Sequence, residues 1–203
     1  MDIRIQNLEP DCYFHIYNRG INSAKIFEND ENYNYFLKQF SKYVLSVSDV
    51  YGYCLMPNHF HFILKIKSKK ILDNFFKNTI KSSNIVNDGL HSNHNTASKQ
   101  ISKFISSYTQ SYNKVNNRHG GLLERPFKRK KIDSEEYLRN LIIYIHQNPN
   151  DLKVDFREFK YSSYKSILST SKTSLMRDDV LTLFDGVENF IFCHNKTIKL
   201  DLE

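Results

Sequence analysis

The sequence predicts an α+β fold: a ferredoxin-like antiparallel sheet in the order βαββαβ with helices on one face, a tyrosine-bearing helix and a helical C-terminal extension. Short runs of β-branched and aromatic residues, which are typical of strands, are separated by longer runs with helical spacing. The first four segments read strand, helix, strand, strand, which is the first half of a split βαβ unit. A further helical segment and a strand-like run complete the pattern.

Length and composition indicate one globular domain with an appendage. The chain has 203 residues, of which 40% are hydrophobic and 25% charged, and it contains 15 phenylalanines and 13 tyrosines. Such a chain can bury a sizeable core, so disorder throughout is excluded. We predict a domain over residues 1–150 and a helical C-terminal extension over residues 151–203 packed on it. Three short apolar clusters in the extension predict three short helices, which either pack on the domain or clamp a ligand.

The charge balance favours a polyanionic partner. Basic residues outnumber acidic residues by 29 to 22, which gives a net charge of +7 and an isoelectric point near 9.2. Nucleic acid is the partner that best suits a basic chain rich in aromatic residues. Cys12, Cys54 and Cys193 are widely spaced, so neither a disulfide framework nor a cysteine zinc site is indicated. We see no signal-peptide core and no apolar run of about 18 residues, and we expect a cytoplasmic protein.

The N-terminal part contains the first strand and the first helix. Residues 12–17 (CYFHIY) are a β-branched and aromatic run closed by the turn sequence NRG. His15 lies on this strand, and a lone strand histidine is more often a packed or surface residue than a ligand. Asn29 and Asp30 can cap a helix, and the apolar face of that helix consists of Tyr33, Phe36, Leu37, Phe40, Tyr43 and Val44.

A histidine pair stands at the start of the next hairpin strand. Residues 48–56 predict a second strand, Pro57-Asn58 a turn, and residues 59–66 (HFHFILKI) a third strand with a period of two. On a strand, residues two apart lie on the same face, so His59 and His61 can converge on one cation. The alternative for so short a motif is an edge strand whose exposed face carries two histidines.

Two further helices flank a polar insertion. Residues 69–80 carry apolar residues at helical spacing, and residues 100–116 do so more clearly. Between them, residues 82–99 are rich in Ser, Asn and His and predict a surface insertion, in which His91 and His94 have no assigned role.

A basic run is predicted to form the fourth strand. Residues 122–132 (LLERPFKRKKI) concentrate five cations within seven residues, namely Arg125, Lys128, Arg129, Lys130 and Lys131. Cations this close repel one another unless phosphates or solvent separate them, so the run is a candidate nucleic-acid contact. A solvated surface is the alternative.

The helix that follows this strand carries candidate site residues along one flank. Ser134 can cap a helix that runs to Asn148, where a proline follows. The flank of its core stripe, within a strip of about 40°, contains Tyr137, Tyr144 and Asn148. Because Tyr144 and Asn148 are one turn apart, a phenol oxygen and an amide oxygen can point into one cavity. A boundary tyrosine and a helix-ending asparagine are the plain alternatives.

Taken together, these stretches resemble the HUH single-tyrosine transposases, and most of all the REP-associated tyrosine transposases. The resemblance is carried, in this order, by YFHIYNRG with KIFENDENYNYFLKQF, YGYCLMPNHFHFILKI, SYTQSYNKVNNRHGGLLERPFKRKKI and YLRNLIIYIHQNP. These stretches cover most of residues 12–150. Each motif is short, but their combination and order are specific.

The resemblance implies a metal-dependent transposase, a DNA strand transferase that cleaves and rejoins single-stranded DNA through a covalent 5′-phosphotyrosine intermediate. In that family the histidine-hydrophobic-histidine triplet, here His59 to His61, binds a divalent cation, with Mg²⁺ or Mn²⁺ favoured. The tyrosine that opens the YIHxNP element is the nucleophile, here Tyr144. The residue four positions later, here Asn148, completes the metal site. Relatives recognise DNA hairpins at repeat sequences, and here the five cations would contact the phosphates.

Several alternatives stay open at this point. The same fold could serve a domesticated, catalytically silent nucleic-acid-binding module, or the histidine pair could hold a structural zinc ion. No general base is identifiable from the sequence. Relatives include monomers and dimers, and the extended C-terminal part favours a monomer. The insertion and Leu122-Leu123, where relatives have an aromatic after leucine, depart from the family pattern and bear on substrate preference.

Overall fold

The computed structural model describes residues 6–79, 96–198 and 200, and this part of the chain contains a four-stranded antiparallel sheet. Its strands are β1 (Tyr13–Arg19), β2 (Ser48–Met56), β3 (His59–Ile66) and β4 (Lys128–Ile132). They lie side by side in the order β2-β3-β1-β4, and all neighbours are antiparallel. This is the ferredoxin-like order, so the predicted fold class is confirmed.

Helices flank this sheet on both faces. They are α1 (Asp30–Tyr43), α2 (Lys69–Thr79), α3 (Thr96–Val115), α4 (Glu135–Gln147), α5 (Tyr164–Leu168), α6 (Arg177–Leu183) and α7 (Val187–His194). A short 3-10 helix, Asn148–Leu152, continues directly from α4. None of the helices in the described residues combines the length and the apolar character that crossing a bilayer requires.

The predicted helix limits agree with this arrangement except around the polar insertion. The third helix begins at Thr96, inside the segment predicted as an insertion, and not at residue 100. Most of the predicted insertion, including His91 and His94, lies outside the described residues.

Both predicted N-caps are formed. Asn29 Oδ1 accepts a hydrogen bond from the backbone N–H of Asn32 at 3.0 Å, and the Ser134 hydroxyl accepts one from the N–H of Tyr137 at 3.1 Å. These side chains satisfy N–H groups that the first turn of a helix leaves without a partner. They fix where α1 and α4 begin.

The first face of the sheet is covered by α1 and α3, the helices that the apolar spacing predicted to pack there. Phe40 of α1 stacks on Phe62 of β3 with ring centroids 4.2 Å apart. Phe36 meets Phe104 of α3 edge to face at 4.7 Å. Buried rings of this size contribute strongly to hydrophobic stabilisation, so this face holds the aromatic part of the core.

The second face is covered by α4 and by the residues that follow it. Ile63 and Ile132 of the sheet share a buried cluster with the apolar stripe of α4 and with extension residues, namely Phe156, Tyr164, Ile167, Val180, Phe184 and Phe190. Gly52 of β2 lies close to α4, because a Cβ there would lie 3.2 Å from Ile145 Cδ1. The helix that carries the candidate tyrosine therefore lies directly on the sheet.

The fourth strand is shorter than predicted, because it begins at Lys128 and not at residue 122. Pro126 has no N–H to donate to a neighbouring strand. Before it, Leu123 pairs with Gly20 in an isolated bridge, and the regular ladder with β1 starts later. The segment before Lys128 therefore runs as a loop beside the end of β1.

Candidate catalytic and metal-binding site

The candidate site lies on the second face of the sheet, at the start of β3. The period of two puts His59, His61 and Ile63 on this face. In the register with β1, His59 stands opposite Arg19 and His61 opposite Tyr17. The ring centroids of the two histidines are 5.1 Å apart, and their planes are almost perpendicular at 88°. The strand therefore brings two imidazoles close enough to share one small ligand.

His59 is oriented by the turn that precedes it. Its Nδ1 lies 2.7 Å from Asn58 Oδ1, which accepts the Nδ1 proton, and its Nε2 lies 3.5 Å from Asn148 Oδ1. Burial lowers the pKa of His59, and the contact with Asn148 and the charge of Asp151 partly offset this effect. A neutral imidazole is the form that binds a metal ion, so His59 is ready to act as a ligand.

His61 is buried and is hydrogen-bonded to another histidine. Its Nδ1 lies 2.8 Å from Nε2 of His15 on β1, and both rings are buried. Burial holds the pKa of His61 well below its usual value, with smaller contributions from His15 and His59, so the ring is neutral. The sequence indicated a packed or surface role for His15, and the structure places it in contact with a site residue. The diagonal contact depends on strand register, which no local pattern reveals.

Tyr144 and Asn148 bring the end of α4 to the same place. The Asn148 amide donates through Nδ2 to the backbone oxygen of Tyr144 at 2.9 Å, which leaves Oδ1 facing His59. The ring of Tyr144 stands edge-on to that of His61, with centroids 6.4 Å apart and planes at 89°. Burial, and then the charge of Asp151, raises the pKa of the half-buried Tyr144 phenol. Tyrosine, amide and imidazoles thus meet at one surface, although they are far apart in sequence.

Tyr137 does not join them, although it lies on the same flank of α4. Its hydroxyl is buried and has no hydrogen-bond partner among the described residues. The ammonium group of Lys130 lies 5.3 Å from its ring centroid. Tyr137 is therefore held by packing and by a cation–π contact rather than by the site.

The donor set suits a divalent cation. Two neutral imidazoles and one amide oxygen are ligands that magnesium, manganese or zinc accepts, and by themselves they do not choose among these ions. In the described parts of the chain, no group of three or more His, Cys, Asp or Glu side chains could hold a metal ion. A cation here would therefore rely on Asn148 and on oxygens supplied by a ligand or by water.

The basic residues of β4 divide between the two faces of the sheet. Lys128 pairs with Tyr17 and Lys130 with His15, so these two lysines share the face of the histidine pair. Arg129 points the other way, is 8% exposed, and donates to the Ser98 hydroxyl at 2.6 Å. Lys131 forms an ion pair with Glu9 at 2.7 Å. Two of the cations therefore share the sheet face of the site, and two are engaged elsewhere in the fold.

Arg125, the fifth cation, lines an open cleft beside the site. The cleft has a volume of about 780 Å³ and lies between Ile21 and the loop that precedes β4. Lys128 also lines it, and the Lys128 ammonium lies 5.7 Å from the centroid of the Tyr17 ring. Because Tyr17 stands opposite His61, the cleft and the histidine pair are neighbours on one surface.

A second histidine pair, which sequence reasoning did not single out, secures the end of α4. His146 Nδ1 lies 2.9 Å from His194 Nε2, and His146 Nε2 lies 2.7 Å from the Ser163 hydroxyl. His194 Nδ1 donates to the backbone oxygen of Phe190 at 2.7 Å. The side chain of Gln147 adds hydrogen bonds from Nε2 to the backbone oxygens of His194 and Lys196, both at 2.8 Å. The extension thus fixes the turn of α4 that carries Tyr144.

Comparison with known proteins identifies one relevant fold. No protein-family model matches the chain, and no curated protein matches it either. Among solved structures, the chain is similar to a REP-associated tyrosine transposase bound to a REP hairpin, with a TM-score of 0.53 and 11% sequence identity. The alignment covers 84% of this chain and 86% of that one. The chain therefore has the fold of that transposase over most of its length.

Proposed function

We propose that this protein is a metal-dependent single-tyrosine transposase of the HUH type, which cleaves and rejoins single-stranded DNA through a covalent 5′-phosphotyrosine intermediate. The observation that carries the proposal is the convergence of His59, His61, Asn148 and Tyr144 on one surface of one chain. The fold, shared with a REP-associated tyrosine transposase, supports the same reading. Because one chain supplies all four side chains, we propose a monomer as the active unit.

The histidine pair and Asn148 would hold Mg²⁺ or Mn²⁺. Their neutral nitrogen and oxygen donors leave coordination positions for phosphate oxygens. A cation bound there would polarise the scissile phosphate and neutralise charge that develops on it. The chain itself contributes orientation, since Asn58 fixes the ring of His59 and the backbone oxygen of Tyr144 fixes the amide of Asn148.

Tyr144 would act as the nucleophile. Its phenol oxygen attacks phosphorus, the bond from phosphorus to the 3′ oxygen breaks, and a proton replaces that bond on the released 3′-hydroxyl. The 5′ phosphate stays on the tyrosine until another 3′-hydroxyl reverses the step. Because burial raises the pKa of Tyr144, the phenol is mostly protonated near neutral pH and must lose its proton during the attack.

The DNA contacts that we propose are the cations on the site's side of the sheet. Lys128 and Lys130 share the face of the histidine pair, and Arg125 lines the adjacent cleft. Phosphates that cross this surface would lie between the cleft and Tyr144. Arg129 and Lys131, with their partners Ser98 and Glu9, would act mainly on the stability of the fold. The structural neighbour is bound to a REP hairpin, and we propose a hairpin-forming DNA as the substrate here too.

A catalytically silent nucleic-acid-binding module on the same fold is the second candidate. The surroundings of the Tyr144 hydroxyl favour it: among the described residues no base is hydrogen-bonded to this hydroxyl, whereas an activated nucleophile usually has a nearby base or a lowered pKa. Such a module would keep salt-dependent binding through its lysines and would form no covalent adduct. The two candidates therefore differ in a single readout.

The deciding experiment is a search for that adduct on a denaturing gel. The protein is incubated with a single-stranded hairpin oligonucleotide labelled at its 3′ end, with and without Mn²⁺ or Mg²⁺. We expect a labelled protein band that depends on the cation and is lost in Tyr144→Phe, while binding is retained. Tyr137→Phe is the matched control, because the Tyr137 hydroxyl is buried without a partner among the described residues. An adduct on another tyrosine, or binding without any adduct, would contradict the proposed enzyme.

A further inference from the structure

We infer that His15 is a positioning residue of the cation site: it accepts a hydrogen bond from His61 Nδ1 and thereby keeps His61 Nε2 available to the cation. This inference rests on the proposed function of the histidine pair as cation ligands. His15 belongs to a different strand, and neither the motif nor the comparison assigns it a role.

The contact between the two rings is fixed on several sides. Nε2 of His15 and Nδ1 of His61 are 2.8 Å apart, and the exposed fraction of His15 is 0%. The His15 ring stacks on Tyr17, with centroids 4.4 Å apart and planes within 17°. It is nearly parallel to the His61 ring as well, at 5.0 Å and 15°. Stacking and burial thus hold Nε2 of His15 toward His61.

The position of one proton decides whether His61 can bind a cation. A neutral imidazole carries a proton on one nitrogen and a lone pair on the other. If His15 donated from Nε2, His61 would accept at Nδ1 and carry its own proton on Nε2, which would block coordination there. If His15 accepts, His61 carries its proton on Nδ1 and has a lone pair on Nε2. The second arrangement is the one in which a metal-bound histidine donates its other N–H to a neighbouring acceptor.

Packing alone accounts poorly for a histidine at this position. The neighbouring positions of the same buried face are filled by Ile63 and Ile132, which bury hydrocarbon without any polar cost. His15 instead buries two ring nitrogens, and Nδ1 has no hydrogen-bond partner among the described residues. A side chain that leaves a nitrogen unsatisfied stabilises the fold less than an apolar one would. An apolar residue at position 15 could not accept the hydrogen bond from His61, and this contact is what a histidine adds there.

The test measures binding of Mn²⁺ to the DNA-free protein by isothermal titration calorimetry. His15→Leu removes the acceptor, and we expect its affinity for Mn²⁺ to fall by about 10- to 100-fold, the usual effect of losing such a partner. In His15→Gln an amide oxygen can take the place of Nε2, and we expect affinity within a few-fold of the wild type. Gln39→Leu is the matched control, because Gln39 is a buried polar residue on the opposite face, hydrogen-bonded to Ser107. It should bind Mn²⁺ as the wild type does.

The outcomes separate this inference from the proposed function. If the wild type binds Mn²⁺ and His15→Leu binds it equally well, His15 has a packing role only and the inference is overturned, while the proposed cation site stands. If the wild type binds no divalent cation, the cation site itself fails, and the inference fails with it.

A measurement on the unmodified protein covers the case in which His15→Leu does not fold. Two-bond proton–nitrogen NMR spectra report which nitrogen of each histidine carries the proton. With Zn²⁺ as a diamagnetic probe, we expect a protonated Nδ1 on His61 and an unprotonated Nε2 on His15. A proton on Nε2 of His61 in the Zn²⁺-bound protein would rule the inference out.

Discussion

The amide oxygen of Asn148 lies 3.5 Å from Nε2 of His59, across a separation of 89 residues in the chain. The amide nitrogen of the same side chain is committed to the backbone of Tyr144. Asn148 therefore connects α4 to β3, and its oxygen and nitrogen have different partners. Substitutions that keep the oxygen and remove the nitrogen, or remove both, can therefore separate the contact with His59 from the hydrogen bond to the Tyr144 backbone.

Asn148→Asp keeps an oxygen toward His59 and loses the donor to the Tyr144 backbone. We expect it to retain Mn²⁺ binding and to lose about 1–3 kcal/mol of folding stability in the absence of the cation, because an oxygen would replace the donor beside the partly buried backbone oxygen of Tyr144. Asn148→Ala should lose both properties, with cation affinity reduced about tenfold or more. Calorimetric titration and urea unfolding measure the two effects. Asn150→Ala, an exposed asparagine two residues away, is the control, and equal Mn²⁺ affinities for all three variants would argue against Asn148 as a ligand.

Lys128→Ala and Lys130→Ala should each weaken single-stranded DNA binding and make it less dependent on salt. The slope of log affinity against log salt should shrink by about 0.7 for each phosphate contact that is lost. Lys131→Ala removes a cation of the same strand that is already paired with Glu9, and it should leave the slope almost unchanged. Fluorescence anisotropy over a salt series measures this. If Lys131→Ala reduced the salt slope as much as Lys128→Ala, the face of the sheet on which a lysine lies would not determine whether it contacts DNA.

Because His194 is buried, we expect the free energy of unfolding of the protein to fall in mild acid. Burial lowers its pKa from 6.5 to about 4, and the titratable groups that face it are His146 of α4 and Tyr164 of α5. Because the folded pKa is lower than the unfolded one, the unfolded chain binds more protons between these values. Stability from this group is therefore complete above pH 6.5 and decreases as the pH falls toward 4. The loss should reach about 2 kcal/mol at pH 5.

The measurement is urea unfolding of the wild type and of His194→Gln at pH 7.5 and pH 5. His15 and His61 lie in the separate site of the β3 histidine pair, so their contribution cancels in the comparison. His146 contacts His194 directly, so the difference between the two proteins reports these two histidines together. The stability difference between the two proteins should narrow by about 2 kcal/mol at the lower pH. A difference that stays constant would mean that His194 is not buried in its neutral form.

Phe190→Ala should destabilise the whole protein, because the extension shares its core with the sheet. Phe190 is 0% exposed and stands 4.1 Å from His194, measured between ring centroids. Removing a buried phenyl ring typically costs about 3–5 kcal/mol. Phe192→Ala, on the same helix with Phe192 58% exposed, should cost far less and serves as the control. A truncated chain that ends before α6 and unfolds with wild-type stability would contradict the shared core.

Most of the local structure could be predicted from the sequence because it depends on neighbours in the chain. Period-two spacing put His59 and His61 on one face, and helical spacing put Tyr144 and Asn148 one turn apart. Caps such as Asn29 are equally local, and the structure contains them. The length of β4 was overestimated, although the missing N–H of Pro126 was a visible signal against an early start.

The rest depends on how distant segments pack, which local patterns do not encode. His15 meets His61 because β1 and β3 pair in one register, and a shift by one residue would turn His15 to the other face. His146 meets His194 because the extension folds back over α4. The division of the β4 cations between the two faces could be predicted in part. Strand alternation predicts that Arg129 faces away from Lys128 and Lys130, but the face that each occupies follows only from how β4 pairs with β1.

The hydrogen bonds of His146 and Gln147 to the extension limit how the proposed reaction can proceed. A helix tied down at its last turn cannot carry its tyrosine to a second location without first breaking those ties. The Tyr144 phenol would then stay in place during the reaction. One DNA strand would have to leave it before the next strand could bind there. The turnover rate of such an enzyme would be set by the exchange of the cut DNA ends at the site. Substitutions that weaken the contacts of the extension with α4 would therefore change the rate of strand exchange more than the rate of the cleavage step.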